Sequence, residues 1–420
     1  MFHFTTLDNG LTVLAAPDPK ARSMSVAIFL GVGSRFEKKR ESGIFHFLEH
    51  MAFRGTEKYP DKFELAKIVE GFGGQWNGGT SKEWTKYWIK AGAKHLSQSL
   101  DILGEMVFHP LLRREDIEVE RGVIIEEINL YEDDPQTHVH EIIDGVMWPE
   151  QPLGRNTAGT RGTVRSLGRE DFLHYIKTHY VPKSVIVGAA GAIDEREFLS
   201  EVEKRLDNLE DIEAPGFEEV VESQTTPQVE MIKRETEQTH FCLNFRGFSF
   251  DHPQRFAMDL LSVILGGGFC SRLFQEIREK RGLAYSISAS PFHHQDTGAV
   301  QIYAGVDNLR VAEAVEVTLS EVKKMWSGVS REELKIAKEK VKGGVALALE
   351  DHADWLDWLA KQKLLTSEVL AYDGWQAKID QVSLEDIEQT ANELFTSERL
   401  NFALIGLTGG EEVRNLVVSF

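Results

Sequence analysis

Apolar and polar residues alternate in strand fashion over residues 2–15, interrupted by Asn9-Gly10, and a second strand-like run covers 23–31. An Asn-Gly pair between alternating runs predicts a tight hairpin. The spacing then lengthens to that of a helix over Ile44–Ala52 and again near Phe63–Gly71. TKYWIKAG (85–92) reads as a strand, HLSQSLDILGEMVF (95–108) as an amphipathic helix, and RREDIEVERGVIIEEINLYED (113–133) as a long helix. The apolar run VIVGAAG (185–191) predicts a closing strand, followed by a helix to about Leu209. Residues 210–228 carry many acids plus Pro215 and Pro227 with little periodicity, which predicts a linker.

Beyond that segment the pattern returns. THFCLNFRG (239–247) parallels SMSVAIFLG (23–31), AGVDNLRVAEAVEVTLSEV (304–322) parallels AGAKHLSQSLDILGEMV (91–107), and SREELKIAKEKVKGG (330–344) parallels RREDIEVERGVIIEE (113–127). A nearly constant offset across three matches points to duplication. Strands mixed with long helices at uneven spacing then predict an α+β fold of two homologous domains. The expected boundaries are 1–209, a linker at 210–228, and 229–420. The halves differ chemically: HFLEH (46–50) falls on LSVIL (261–265), and Glu127 falls on Gly344.

Composition narrows the function classes. With 420 residues, 42% hydrophobic and 27% charged, the chain reads as globular, and its length favours more than one core. A net charge of −20 without a compensating Lys/Arg run excludes nucleic-acid binding as the expected role. Cys242 and Cys270 are too few for a disulfide framework and are read as thiols of a reducing compartment. No apolar run approaches the roughly 20 residues of a membrane span. The amino-terminal segment lacks the basic start and apolar core of a secretion signal, so a cytoplasmic location is expected.

The candidate chemistry lies in the first half. His46 and His50, four apart on a helix, place two imidazoles one turn apart on one face. Such a pair can offer two nitrogen ligands to one Zn²⁺, and Glu49 between them can reach a water held there without being a ligand. Apolar neighbours Ile44, Phe45, Phe47, Leu48, Met51 and Phe53 predict partial enclosure, in which a carboxylate needs a cationic partner. A third ligand must come from elsewhere. Glu120 and Glu127, seven apart, share a face of the long helix, whereas Glu126 points about 100 degrees away. Periodicity pairs Glu120 with Glu127 and leaves open which of them binds metal. Gly266, Gly267 and Gly268 lack the Lys-Ser/Thr end of a phosphate loop and are read as a close-packed junction. His138, His140, His293 and His294 are assigned surface or packing roles.

On HFLEHMAFRGT (46–56), GGQWNGGTSKEWTKYW (73–88), ERGVIIEEI (120–128), PLGRNTAGT (152–160) and LFQEIREKRGLAYS (273–286), the sequence resembles the insulinase/pitrilysin (M16) family of inverzincin peptidases. It looks closest to the bacterial processing-peptidase-like branch related to the mitochondrial processing peptidase beta subunit. The resemblance implies that Glu127 is the third ligand and Glu120 its supporting glutamate. It also implies that Arg278 and Tyr285, seven apart, donate hydrogen bonds to a substrate carbonyl or oxyanion. Asn77 matches a family residue beside an edge strand that pairs with extended substrate.

The implied architecture is a half-clamshell of two mainly antiparallel mixed sheets packed with helices. The implied activity is a zinc endopeptidase acting on peptides or unfolded protein segments. Its competitor is a peptide-binding or structural subunit that does not hydrolyse its ligand. In longer single-chain relatives the zinc domain and the arginine–tyrosine domain belong to opposite halves of the clamshell. The resemblance therefore implies that this chain, with both residue sets in one half-shell, forms a homodimer with sites shared between subunits, a heterodimer being the alternative.

Overall fold

In the computed structural model, residues 2–207, 209–210, 212–407 and 410–420 are described. They form two compact units, neither contiguous in sequence. The first comprises Met1–Ile128, Arg155–Glu218 and Ala348–Val369, and the second Asn129–Gly154, Glu219–Leu347 and Leu370–Phe420.

The first unit is built on strands β1 (His3–Thr6), β2 (Thr12–Pro17), β3 (Ser23–Leu30), β4 (Gln75–Thr80), β5 (Thr85–Gly92) and β6 (Val185–Gly191). Their order is β1-β2-β6-β3-β5-β4. Only β2 and β6 run parallel; the other neighbours are antiparallel. The hairpin turn is where the Asn-Gly signal puts it, with Gly10 at φ 91°. One sheet face meets the helices Ile44–Ala52 and Leu96–Phe108 in the main core, where Val26, Ile28, Phe47, Leu48 and Leu103 are fully or almost fully buried. The other face carries Leu14, Ala27, Phe29 and Ile186 against Leu356, Leu359 and Ala360 of the helix His352–Leu365. Burial on both faces explains why β3 reads as an almost unbroken apolar run.

The second unit contains β7 (Gln228–Lys233), β8 (Gln238–Gly247), β9 (Ala284–His293), β10 (Gly298–Asp307) and β11 (Leu400–Gly406), ordered β7-β11-β8-β10-β9. Strand for strand this is the β2-β6-β3-β5-β4 part of the first sheet, and its single parallel pair, β7–β11, corresponds to β2–β6. The helix Pro135–Met147 covers one face through Val139, Ile143 and Met147, packed with Cys242, Ala299 and Ala403. Its start is set by Asp134, which accepts from Gln136 and Thr137 N–H groups, with Pro135 in the first turn.

The units therefore differ from contiguous 1–209 and 229–420 segments by one helix each way. Helix 135–147 belongs to the later sheet and helix 352–365 to the earlier one, because each buries its apolar stripe there. Leu356→Ala is expected to cost about 2–5 kcal/mol. Amide exchange should quicken in β2, β3 and β6 and stay unchanged in β8 and β10; the opposite pattern would contradict this packing.

Candidate metal centre

The helix Ile44–Ala52 is fixed before any ligand is considered. Ile44, Phe45, Phe47, Leu48, Met51 and Ala52 are buried, leaving His46, Glu49 and His50 on the partly open side. Its amino terminus is held by Glu37, whose carboxylate accepts the backbone N–H groups of Gly43 (2.8 Å) and Phe45 (3.0 Å). Burial pushes the Glu37 carboxyl up to about 8, opposed by those two bonds and by the Arg155 charge.

The long helix Arg114–Asp133 supplies both candidate carboxylates, and turns Ile117, Ile124 and Ile128 into the core beside them. Glu126 is exposed, as its angular position requires. Glu127 Oε2 lies 3.7 Å from His46 Nε2 and 3.4 Å from His50 Nε2, with the two rings 4.7 Å apart between centroids. Glu120 Oε2 instead meets His50 Nδ1 at 2.9 Å, and its Oε1 pairs with Arg54.

This arrangement distinguishes the two glutamates that periodicity left equivalent. The bond to Glu120 favours the proton on His50 Nδ1, which leaves the Nε2 lone pair facing Glu127. Burial pulls the His46 imidazole down to about 4, with the neighbouring His50 adding to the effect and Glu127 opposing it, so His46 is neutral at neutral pH. Lone pairs facing a carboxylate oxygen repel unless a cation lies among them. A tetrahedral zinc with N and O ligands at about 2.0–2.2 Å separates its ligand atoms by roughly 3.3–3.6 Å. The donor set fits that ion: the three ligand atoms lie within 4.8 Å of one another. Among the described residues no other group of three His, Cys, Asp or Glu side chains converges in this way.

Glu49 sits beside this trio. Its Oε2 accepts a 2.6 Å hydrogen bond from the Thr80 hydroxyl at the end of β4. Burial raises its pKa; the Glu127 charge adds to that, while Thr80 and His50 counter it. Gly78 backs the carboxylate closely: a Cβ there would lie 3.0 Å from Glu49 Cγ and 3.4 Å from Oε1. The side-chain partner of Glu49 is thus the Thr80 hydroxyl, while the cation Arg54 pairs with Glu120. Sequence reasoning missed Arg54, Thr80 and Glu37. Arg54 stood within HFLEHMAFRGT, two residues past the helix, and was the findable one.

Asn77 lies exposed on β4, which pairs only with β5 among the described strands, and its Oδ1 accepts from the Gly78 N–H at 2.9 Å. Arg278 and Tyr285 are neighbours within the second unit. Arg278 lies in a π-helical segment, Phe274–Lys280, and its guanidinium carbon is 5.3 Å from the centroid of the Tyr285 ring on β9. Tyr285 is 75% exposed. At the glycine triplet the backbone is close-packed, since a Cβ on Gly266 would meet the Ala289 nitrogen at 2.3 Å. Cys242 is buried and Cys270 exposed, both as free thiols. No described helix is long and apolar enough to cross a membrane.

Two mixed sheets packed with helices, and a His-x-x-Glu-His helix whose imidazoles face a glutamate of the long helix, present a donor set of the kind found in zinc peptidases. Known proteins agree. The family description "Insulinase (Peptidase family M16)" matches residues 12–161, and "Peptidase M16 inactive domain" matches residues 166–341. A Bacillus subtilis protein named "Uncharacterized zinc protease YmxG" is 34% identical over 413 residues, covering 96% of this chain and 98% of that one. A Streptomyces coelicolor protein also named as a zinc protease is 32% identical, over 96% of this chain and 89% of its own. The crystal structure of a Helicobacter pylori protease has the same fold, with a TM-score of 0.91 at 23% identity, covering 97% of this chain and 99% of its own. This chain belongs to the peptidase M16 family.

Proposed function

We propose that the chain is a zinc-dependent endopeptidase that cuts flexible peptides and extended protein segments. The observation that carries this reading is the convergence of His46 Nε2, His50 Nε2 and Glu127 Oε2 with the Glu49 carboxylate beside them. In this proposal His46, His50 and Glu127 hold the ion, and Glu120, braced by Arg54, orients His50. Bound zinc would supply Lewis acidity toward water and the scissile carbonyl. Glu49 would take the proton of the attacking water at Oε1 and pass it to the leaving amine. The free edge of β4 would align an extended substrate by main-chain hydrogen bonds, with Asn77 beside it. Arg278 and Tyr285 would donate to the carbonyl oxygen as charge develops.

The word "inactive" in the second family description belongs to residues 166–341, and every proposed metal-centre residue lies outside that segment. That weighs against a purely structural subunit. Strand addition requires an unpaired substrate backbone, so an unstructured peptide should be cut while the same segment inside a stable fold resists. Equal rates on both forms, with the fold shown intact, would refute the edge-strand mode.

The sharing of sites between two copies is part of the same proposal. Glu49→Gln and the double variant Arg278→Ala with Tyr285→Phe would each be inactive alone. After subunit exchange at equal amounts, about half the dimers are mixed, each with one intact site, so roughly a quarter of the activity should return. No recovery despite demonstrated exchange would place each site within one copy.

A further inference from the structure

A carboxylate that acts as general base has to be held with one oxygen in hydrogen-bond reach of the proton it takes, and a hydrogen bond to its other oxygen helps to fix it there. The surroundings of Glu49 meet that requirement through two residues of β4. The Thr80 hydroxyl donates to Oε2 at 2.6 Å, within the short range typical of a donor on an ionised acceptor. On the other side Oε1 lies over Gly78, where a Cβ would stand 3.4 Å away. Oε2 is therefore the oxygen that the Thr80 hydroxyl ties, and Oε1 the one that faces a glycine.

We propose that Thr80 is a positioning residue for Glu49, tying Oε2 so that Oε1 is the atom that accepts the proton; this rests on the peptidase reading above. The role belongs to the hydroxyl. Thr80 closes the ladder between β4 and β5 opposite Thr85, and that pairing is made by the backbone. Valine has the same branched shape and an equal liking for strands, so Thr80→Val removes the hydrogen bond and little else. Serine keeps the hydroxyl and loses a methyl group.

The experiment compares the unmutated protein, Thr80→Val and Thr80→Ser for zinc content, melting temperature, kcat and KM on an unstructured peptide. A crystal structure of Thr80→Val then reads the Glu49 rotamer. Thr80→Val should lower kcat about 10–100-fold, the usual size of an outer-shell loss. Its KM and zinc content should be unchanged, and Glu49 should leave the position held against Gly78. Thr80→Ser should stay within about 3-fold of the unmutated kcat, a change of about 0.65 kcal/mol at most. Full kcat in Thr80→Val, equal losses in the two variants, or loss of zinc would overturn the inference. An unchanged Glu49 rotamer in the Thr80→Val crystal would overturn it too, even where turnover could not be measured. If the unmutated, zinc-loaded protein cuts no peptide, the peptidase reading itself fails. If it cuts and Thr80→Val cuts equally well, only the positioning role fails.

Discussion

Glu49→Gln is expected to lower kcat by about 100-fold or more while leaving roughly one zinc per chain. The amide has the shape of the carboxylate but cannot accept a proton, so the defect falls on one step. Binding should survive, because the proposed donors to metal are His46, His50 and Glu127 and the proposed substrate edge is β4, and none of them is changed. The variant should therefore hold an uncut peptide, measurable by fluorescence anisotropy, at close to the unmutated KM. The Thr80 hydroxyl, which donates to Glu49 in the unmutated chain, can donate equally to the amide oxygen of the variant, so the side chain need not turn away. Full turnover in zinc-loaded Glu49→Gln protein would move the base elsewhere.

His50→Ala should act differently, removing metal and activity together. The imidazole is hydrogen-bonded through Nδ1 to Glu120 at 2.9 Å, and its Nε2 lies 3.4 Å from Glu127 Oε2, where the proposed ion would sit. Its loss takes away one donor of three and leaves the partly buried pair of Glu120 and Arg54 without its third member. A site reduced to His46 and Glu127 lacks the three protein ligands usual for catalytic zinc. Elemental analysis after dialysis should find well under about 0.1 zinc per chain, and turnover should fall below about 1% of the unmutated value. A His50→Ala protein that keeps stoichiometric zinc would contradict the donor set.

What the sequence revealed and what it withheld follow from the range of the contacts. His46, Glu49 and His50 sit on one helix of nine residues, and helical spacing alone places them. The shared face of Glu120 and Glu127 was equally local, whereas their different tasks depend on a second helix 70 residues away in the chain. Thr80 reaches Glu49 across 31 residues, from a strand whose Gly78-Gly79 pair carries almost no strand signal. The exchange of helices 135–147 and 352–365 was invisible for the same reason. The apolar stripe of helix 135–147 is readable and that of helix 352–365 faint, and periodicity does not say which sheet either helix will cover.

The central claim is that His46, His50 and Glu127 hold a zinc on which peptide cleavage depends. The most direct measurement strips the purified chain with a chelator, reloads it with measured zinc, and follows cleavage of an unstructured peptide at each step. The account predicts that cleavage disappears on stripping and returns in proportion to zinc, levelling at about one ion per chain. A metal-stripped chain, verified by elemental analysis, that still cuts the peptide at the full rate would contradict it.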